Sequence, residues 1–454
     1  MAVTGTIAAT KQALESGETT SVELVSEAFS EIEREEGEGD SIFVRTFKNS
    51  AITQAAAADA MRKMGIPLGP LSGIPISVKD LFDVEGAMTT AGSAALAESA
   101  EPAAHDAIVI ERLRAAGGIF IGHTNMTEFA YSGLGINPHF GTPLNVWDRE
   151  VGRVPGGSSS GAALSVVENM AVVAIGSDTG GSVRIPAAFN GIYGFKPTTG
   201  RHPMDGVFPL SSTLDTPGPL ARSMNCCRII DHIMAGEPVP EANIRSMNGL
   251  RFGILETVAL DGLDMEVAGA FVRALEDIAK AGARLERIKV DVMKNYDQIA
   301  KLGSLAGPEA YHLHRHFVAF RGSRMDPRVL SRIEAAADIS AADYIEMLAL
   351  RKEMMEQSHL ATRNYDAILM PTVAIVPPEI KPLQESDTLY AEANVKSLRN
   401  TVLVNLLGRP AATIPVGAKN GPPVGLMIVG EIGADAAVQD LAESIDICIR
   451  SSRE

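Results

Sequence analysis

Three cysteines in 454 residues are too few for a disulfide scaffold. Cys226 and Cys227 are adjacent and Cys448 lies far away, so no CxxC pair and no zinc spacing arises. Adjacent cysteines rarely bridge each other, and a reducing, cytoplasmic location is the expectation. Basic charge is scarce as well. Lys and Arg number 40 against 56 Asp and Glu, a net charge of −16. No basic cluster stands out to neutralise a phosphate backbone, which argues against nucleic-acid binding. No apolar run approaches the roughly 20 residues that cross a bilayer. The opening MAVTGTIAATKQALESGE has no apolar signal core, so no membrane role is expected either.

What is present is an ordinary globular mixture, 46 % hydrophobic and 21 % charged, in which strand and helix patterns alternate. Thr20 and Glu23 have capping-box spacing ahead of Val22, Val25, Phe29 and Ile32, which predicts a helix. Ile74, Ile76 and Val78 alternate like a strand and put Lys79 at its end. Further strands are predicted at 119–121, 172–175, 251–255, 284–290, 367–370, 411–415 and 426–429. Helices are predicted at 50–64, 105–116, 267–281 and 434–449. The pattern reads as one large α/β domain over residues 1–454, with a helical elaboration around 295–365.

The densest signal is Gly156-Gly157-Ser158-Ser159-Ser160-Gly161, followed by Asp178-Thr179-Gly180-Gly181-Ser182-Val183-Arg184. Crowded glycines are tolerated where a backbone bends sharply or approaches another group closely. A turn such as 179–182 can aim successive N–H groups at one point, which is how an anion or a developing oxyanion is held. A phosphate loop needs a lysine that neither turn supplies, and GxGxxG is absent. Residues 157–161 match GxSxG with Ser159 at the centre, but that elbow must follow a buried strand, and Arg153-Val154-Pro155-Gly156 is a poor strand end.

The two turns, the 24-residue spacing from Ser158 to Ser182, and Gly73-Ile74-Pro75-Ile76-Ser77-Val78-Lys79-Asp80 resemble the amidase signature family. The resemblance continues through Thr124-Asn125-Met126-Thr127-Glu128-Phe129, the run from Val172 to Pro197, and Leu214-Asp215-Thr216-Pro217-Gly218-Pro219. It implies an α/β/α fold, a large mixed β-sheet covered by helices on both faces. It also implies a Ser–Ser–Lys triad: Ser182 as nucleophile, Lys79 as base, and Ser158 between them after a cis Gly157–Ser158 bond. A lysine serves as base only when neutral, and burial lowers its pKa from near 10.4 in that direction.

The same resemblance casts the N–H groups of Thr179, Gly180, Gly181 and Ser182 as an oxyanion hole. Asp178 and Arg184 are expected to orient the turn, and Ser159 and Ser160 to hydrogen-bond within it. The implied reaction cleaves a carboxamide C–N bond to an acid plus ammonia or amine, with no metal and no cofactor. A small amide is the implied partner, and both a homodimer and a small partner subunit are compatible with it. Within the family a free-standing amidase is favoured. The alternatives are a urea-derivative (carboxybiuret-type) hydrolase and a protein like the family's glutamyl-tRNA(Gln) amidotransferase subunit. The latter carries a Tyr-rich, Gly-containing helical motif where residues 326–350 here read DPRVLSRIEAAADISAADYIEMLAL.

Met126 and Tyr131, with Phe140 and Trp147, are candidates for the acyl pocket. His312, His314 and His316 share a spacing that gathers side chains only on a strand, while their flanks predict a helix. A solvated or pocket-lining helix end is expected there, not a metal site.

Overall fold

Eleven short strands pair into one mixed sheet in the computed structural model, which describes residues 5–453. They are β1 (Phe43–Thr46), β2 (Pro75–Lys79), β3 (Ile119–Thr124), β4 (Val173–Ser177), β5 (Tyr193–Lys196), β6 (Pro217–Ala221), β7 (Arg251–Leu255), β8 (Arg284–Ile288), β9 (Ala367–Pro371), β10 (Ala411–Pro415) and β11 (Gly425–Val429). The order across the sheet is β1-β3-β2-β4-β6-β5-β10-β11-β9-β7-β8. Pairing is parallel at β3-β2-β4 and at β9-β7-β8, and antiparallel through the middle and at β1. Helices flank both faces.

Because both faces are covered, most inner strands are buried along their whole length. β2, β3, β4, β6, β9 and β11 have no exposed residue. The alternation at 74–78 therefore does not separate a wet face from a dry one: Ser77 and Lys79 are as buried as Ile76 and Val78. The edges are managed differently. β1 is only four residues long, and β8, RLERI, exposes charged side chains at the rim.

Helices Asn295–Leu302, Ala306–Arg321, Pro327–Glu334 and Ala341–Thr362 occupy the region read as helical from the sequence. Asp326 caps the third with Pro327 in its first turn, and Ser340 with Asp343 forms a capping box on the fourth. On the second helix His314 points away from the face that His312 and His316 share. His314 is buried against Phe208, with ring centroids 5.1 Å apart, and its Nε2 lies 2.8 Å from the Pro209 carbonyl. His312 and His316 are exposed. The expected solvated or pocket-lining role is thus corrected for His314, which is a core residue: helical rotation separates positions two apart. Among the described residues no helix is long and apolar enough to cross a membrane.

Candidate active site

β2 and β4 run side by side, with Ile76 opposite Val173 and Val78 opposite Ile175. Their C-terminal ends therefore bring Lys79 next to Ser177. Lys79 Nζ lies 2.7 Å from Ser158 Oγ and 2.9 Å from Ser177 Oγ, and the side chain is fully buried. Burial pushes the lysine pKa down to about 7, against the opposing pull of Asp215 and Asp178. Near neutrality a large fraction of this amine is uncharged, able to take a proton from the hydroxyl it touches.

Ser158 follows a cis Gly157–Ser158 peptide. Its carbonyl accepts from the Thr127 N–H at 3.1 Å, and the Ser159 N–H donates to the Ser182 carbonyl at 3.3 Å. The second bond ties the two glycine-rich turns together. At the start of helix Ser160–Val167, Ser159 Oγ donates to the Ser177 carbonyl and Ser160 Oγ to the Asn125 carbonyl, each at 3.3 Å, so both bond to neighbouring segments and not within their own turn as expected. No strand leads directly into Ser159, and the only β pairing of Arg153 is an isolated bridge with Glu379. The strand-to-helix elbow that GxSxG would need is therefore absent.

The second turn is held by its carboxylate. Asp178 forms a fully buried pair with Arg184, through Nε at 3.0 Å and Nη2 at 2.9 Å, and accepts from the Val183 and Arg184 N–H groups. Burial alone would raise the Asp178 pKa, but Arg184, Lys196 and Asn405 outweigh it and hold the carboxyl at about 2. Helix Asp387–Leu406 clamps the turn from outside. Thr401 Oγ1 donates to the Gly180 carbonyl at 2.6 Å, and Asn405 Nδ2 donates to Asp178 Oδ1 at 2.9 Å.

The carbonyls of Gly180, Gly181 and Ser182 are engaged, whereas no described residue accepts from the N–H groups of Thr179, Gly180, Gly181 or Ser182. Such a row of free donors can receive an oxyanion. Gly181 has φ +130°, and a Cβ there would lie 2.2 Å from Thr401 Oγ1. Gly181→Ala is expected to cost about 2–4 kcal/mol through strain and overpacking. Thermal unfolding together with amide turnover checks this; a variant of unchanged Tm and rate would show that the clamp yields.

Thr179, Gly180 and Ser182 open onto a cavity of about 400 Å³, large enough for a small organic substrate. Tyr131 lines it, as do Ser132, Leu210, Leu214 and Tyr296, and helix Asp387–Leu406 presents Asn394, Leu398 and Val402 at helical spacing. Arg332 is the one charged side chain among the described lining residues. Met126, Phe140 and Trp147 do not line it. Met126 is fully buried beside Gly92, and Trp147 lies under the Arg153 guanidinium, 4.4 Å from its ring centroid. Sequence reasoning assigned no role to Ser177, Asp215 or Arg332. The first sits directly before Asp178 and the second inside a quoted motif, so adjacency could have flagged both.

The amidase family model matches residues 23–438. Among curated proteins, the 2-amino-5-chloromuconic acid deaminase of Comamonas testosteroni is 39 % identical, covering 88 % of this chain and 86 % of its own. A glutamyl-tRNA(Gln) amidotransferase subunit from Methylococcus capsulatus is 34 % identical, covering 94 % and 93 %. A crystal structure of an amidase superposes with a TM-score of 0.87 at 30 % identity, over 98 % of this chain and 99 % of that one. With its mixed sheet, its paired glycine-serine turns and a family match along nearly its whole length, the chain belongs to the amidase signature family and has that family's amide-hydrolase chemistry.

Proposed function

We propose that this enzyme hydrolyses a small amide whose acyl part carries a carboxylate, through an acyl-enzyme on Ser182. Ser182 Oγ attacks the amide carbon while its proton passes to Ser158 and from there to Lys79. The N–H groups of residues 179–182 receive the developing oxyanion. Collapse expels the nitrogen, protonated through Ser158, and water then releases the acid by the same route.

The observation that carries the substrate class is Arg332. Its cavity is otherwise uncharged, with mainly apolar walls. The guanidinium stacks on the Tyr131 ring, 4.1 Å from the centroid, and donates to the Tyr131 carbonyl, which leaves it oriented with donors to spare. Planar carboxylate is the group such a fork recognises. The deaminase relative supports the same class, since its name denotes loss of an amino group from a dicarboxylic acid. A cytoplasmic setting is part of the proposal, supported by three free cysteines, two of them buried.

The test is ammonia release by the purified chain alone from adipamate, the monoamide of a six-carbon diacid, and from hexanamide, its neutral counterpart. Adipamate is expected to be the better substrate. Arg332→Met should lower kcat/KM for adipamate by roughly 10–100-fold, the worth of a charge-assisted hydrogen bond, and for hexanamide by far less. Equal losses on both would mean that Arg332 only steadies Tyr131. Turnover that required a second protein would replace hydrolysis with an amidotransferase role.

A further inference from the structure

We infer that Asp215 is a positioning residue for amide cleavage: its carboxylate anchors the Thr179 end of the oxyanion turn and supplies a negative charge, paired with no arginine among the described residues, whose field reaches Lys79. Asp215 is half-buried in the loop before β6, outside the cavity lining. Its Oδ1 accepts from Thr179 Oγ1 at 2.6 Å, and its Oδ2 accepts from the Leu210 and Ser211 N–H groups at 2.8 and 2.9 Å. One carboxylate thus joins the first residue of the oxyanion turn to the segment whose Leu210 and Leu214 wall the cavity. The far side of that segment is fixed too. Ser211 Oγ donates to Glu309, Thr213 Oγ1 donates to Glu309 Oε1 at 2.8 Å, and the Tyr344 hydroxyl donates to the same oxygen at 2.8 Å.

The charges around Lys79 single out Asp215. Asp178 spends its charge on Arg184. Asp80, next in the chain, is committed to Thr90 and to the Gly92 N–H. His123 on the neighbouring β3 is kept neutral by burial, which drives its pKa to about 3. From helix Ser160–Val167 and its turn come only hydroxyls. Asp215 has no arginine partner among the described residues. Desolvation raises its carboxyl to about 6, opposed by the bonds from Thr179, Ser211 and Leu210 and by the charge of Lys79. The two groups stabilise each other's charged forms, so Lys79 without Asp215 would be neutral at lower pH.

Because the inference rests on Ser182 as nucleophile and Lys79 as base, its test reads the nucleophile without a substrate. Phenylmethanesulfonyl fluoride sulfonylates an activated serine. The Oγ–S bond forms, the S–F bond breaks, fluoride leaves, and the serine proton goes to the base. The labelling rate is followed against pH, and the labelled residue is identified by peptide mass. In the unsubstituted enzyme the label should fall on Ser182 with a rate that rises through pH about 7. Asp215→Asn should label the same serine with a plateau lowered roughly tenfold and its acid limb moved down by about one pH unit. Thr179→Val, which keeps the charge but removes the donor, should also lower the plateau, and Thr179→Ser should restore it. That pair decides the anchoring even where the 215 variant is unstable.

A lowered plateau with an unmoved limb in Asp215→Asn would overturn the electrostatic role, and unsubstituted kinetics in Thr179→Val would overturn the anchoring. Label recovered on a serine other than 182 in the unsubstituted enzyme would instead overturn the proposed function beneath both.

Discussion

Ser182→Ala is expected to lower amide turnover by on the order of 10⁵-fold or more, to the level that an intact oxyanion turn can give without a covalent route. Ser182 Oγ makes no hydrogen bond with a described residue, while the Ser182 carbonyl ties the two turns together through the Ser159 N–H. Removing the hydroxyl therefore deletes the nucleophile and leaves the turn's hydrogen bonds in place, so Tm should hardly change. The informative control is Ser159→Ala. Its hydroxyl donates to the Ser177 carbonyl, behind the lysine and away from the cavity lining, and its loss should cost a few-fold at most. If Ser159→Ala were dead and Ser182→Ala active, the GxSxG alternative would displace the assignment.

Lys79→Met carries the second large effect. Methionine nearly matches the lysine stem in length and needs no solvation, so the buried site can accept it, but it cannot take a proton. A general base is typically worth about 10²–10⁴-fold, and a loss of that size in kcat is expected. The sign of the pH dependence follows from the environment. Burial holds the lysine at about 7, and only the neutral form works, so unsubstituted kcat/KM should climb from acid pH to a plateau above about 7. Lys79→Met should abolish that limb along with most of the rate. A residual activity that still rose through pH 7 would mean that another group is the base.

The chemistry was more legible in the sequence than the cavity was. Lys79, Ser158, Asp178 and Ser182 sit at the ends of short strands or in glycine-rich turns, where local pattern and spacing speak directly. β6 escaped notice because Pro217 and Pro219 read as a break. Two residues apart, they leave their missing N–H groups on one side of the strand, and β5 pairs only with Leu220 and Ala221, past both prolines. Helix Asp387–Leu406 escaped because much of its buried side is polar. Asn394, Ser397, Asn400, Thr401 and Asn405 all point inward, so hydrophobic periodicity is silent there. The partners of Thr401 and Asn405, a turn carbonyl and a carboxylate, are more than 200 residues away in the chain. Arg332 was hidden for a related reason: on a helix pinned by buried Val329 and Ile333, a charged residue reads as solvated until the wall it completes is seen.

The polar-faced helix has a consequence for how the enzyme can change. Leu398 and Val402 shape the cavity, while Thr401 and Asn405 grip the turn that carries Ser182. Both sets ride on one rigid rod, so selectivity and turnover are mechanically coupled. A bulkier residue that reshapes the cavity from this rod also leans on the turn. Among the described residues, the wall formed by helices Asn295–Leu302 and Pro327–Glu334 makes no hydrogen bond to that turn, which leaves it as the surface on which new substrate preferences can accumulate while the reaction itself stays intact.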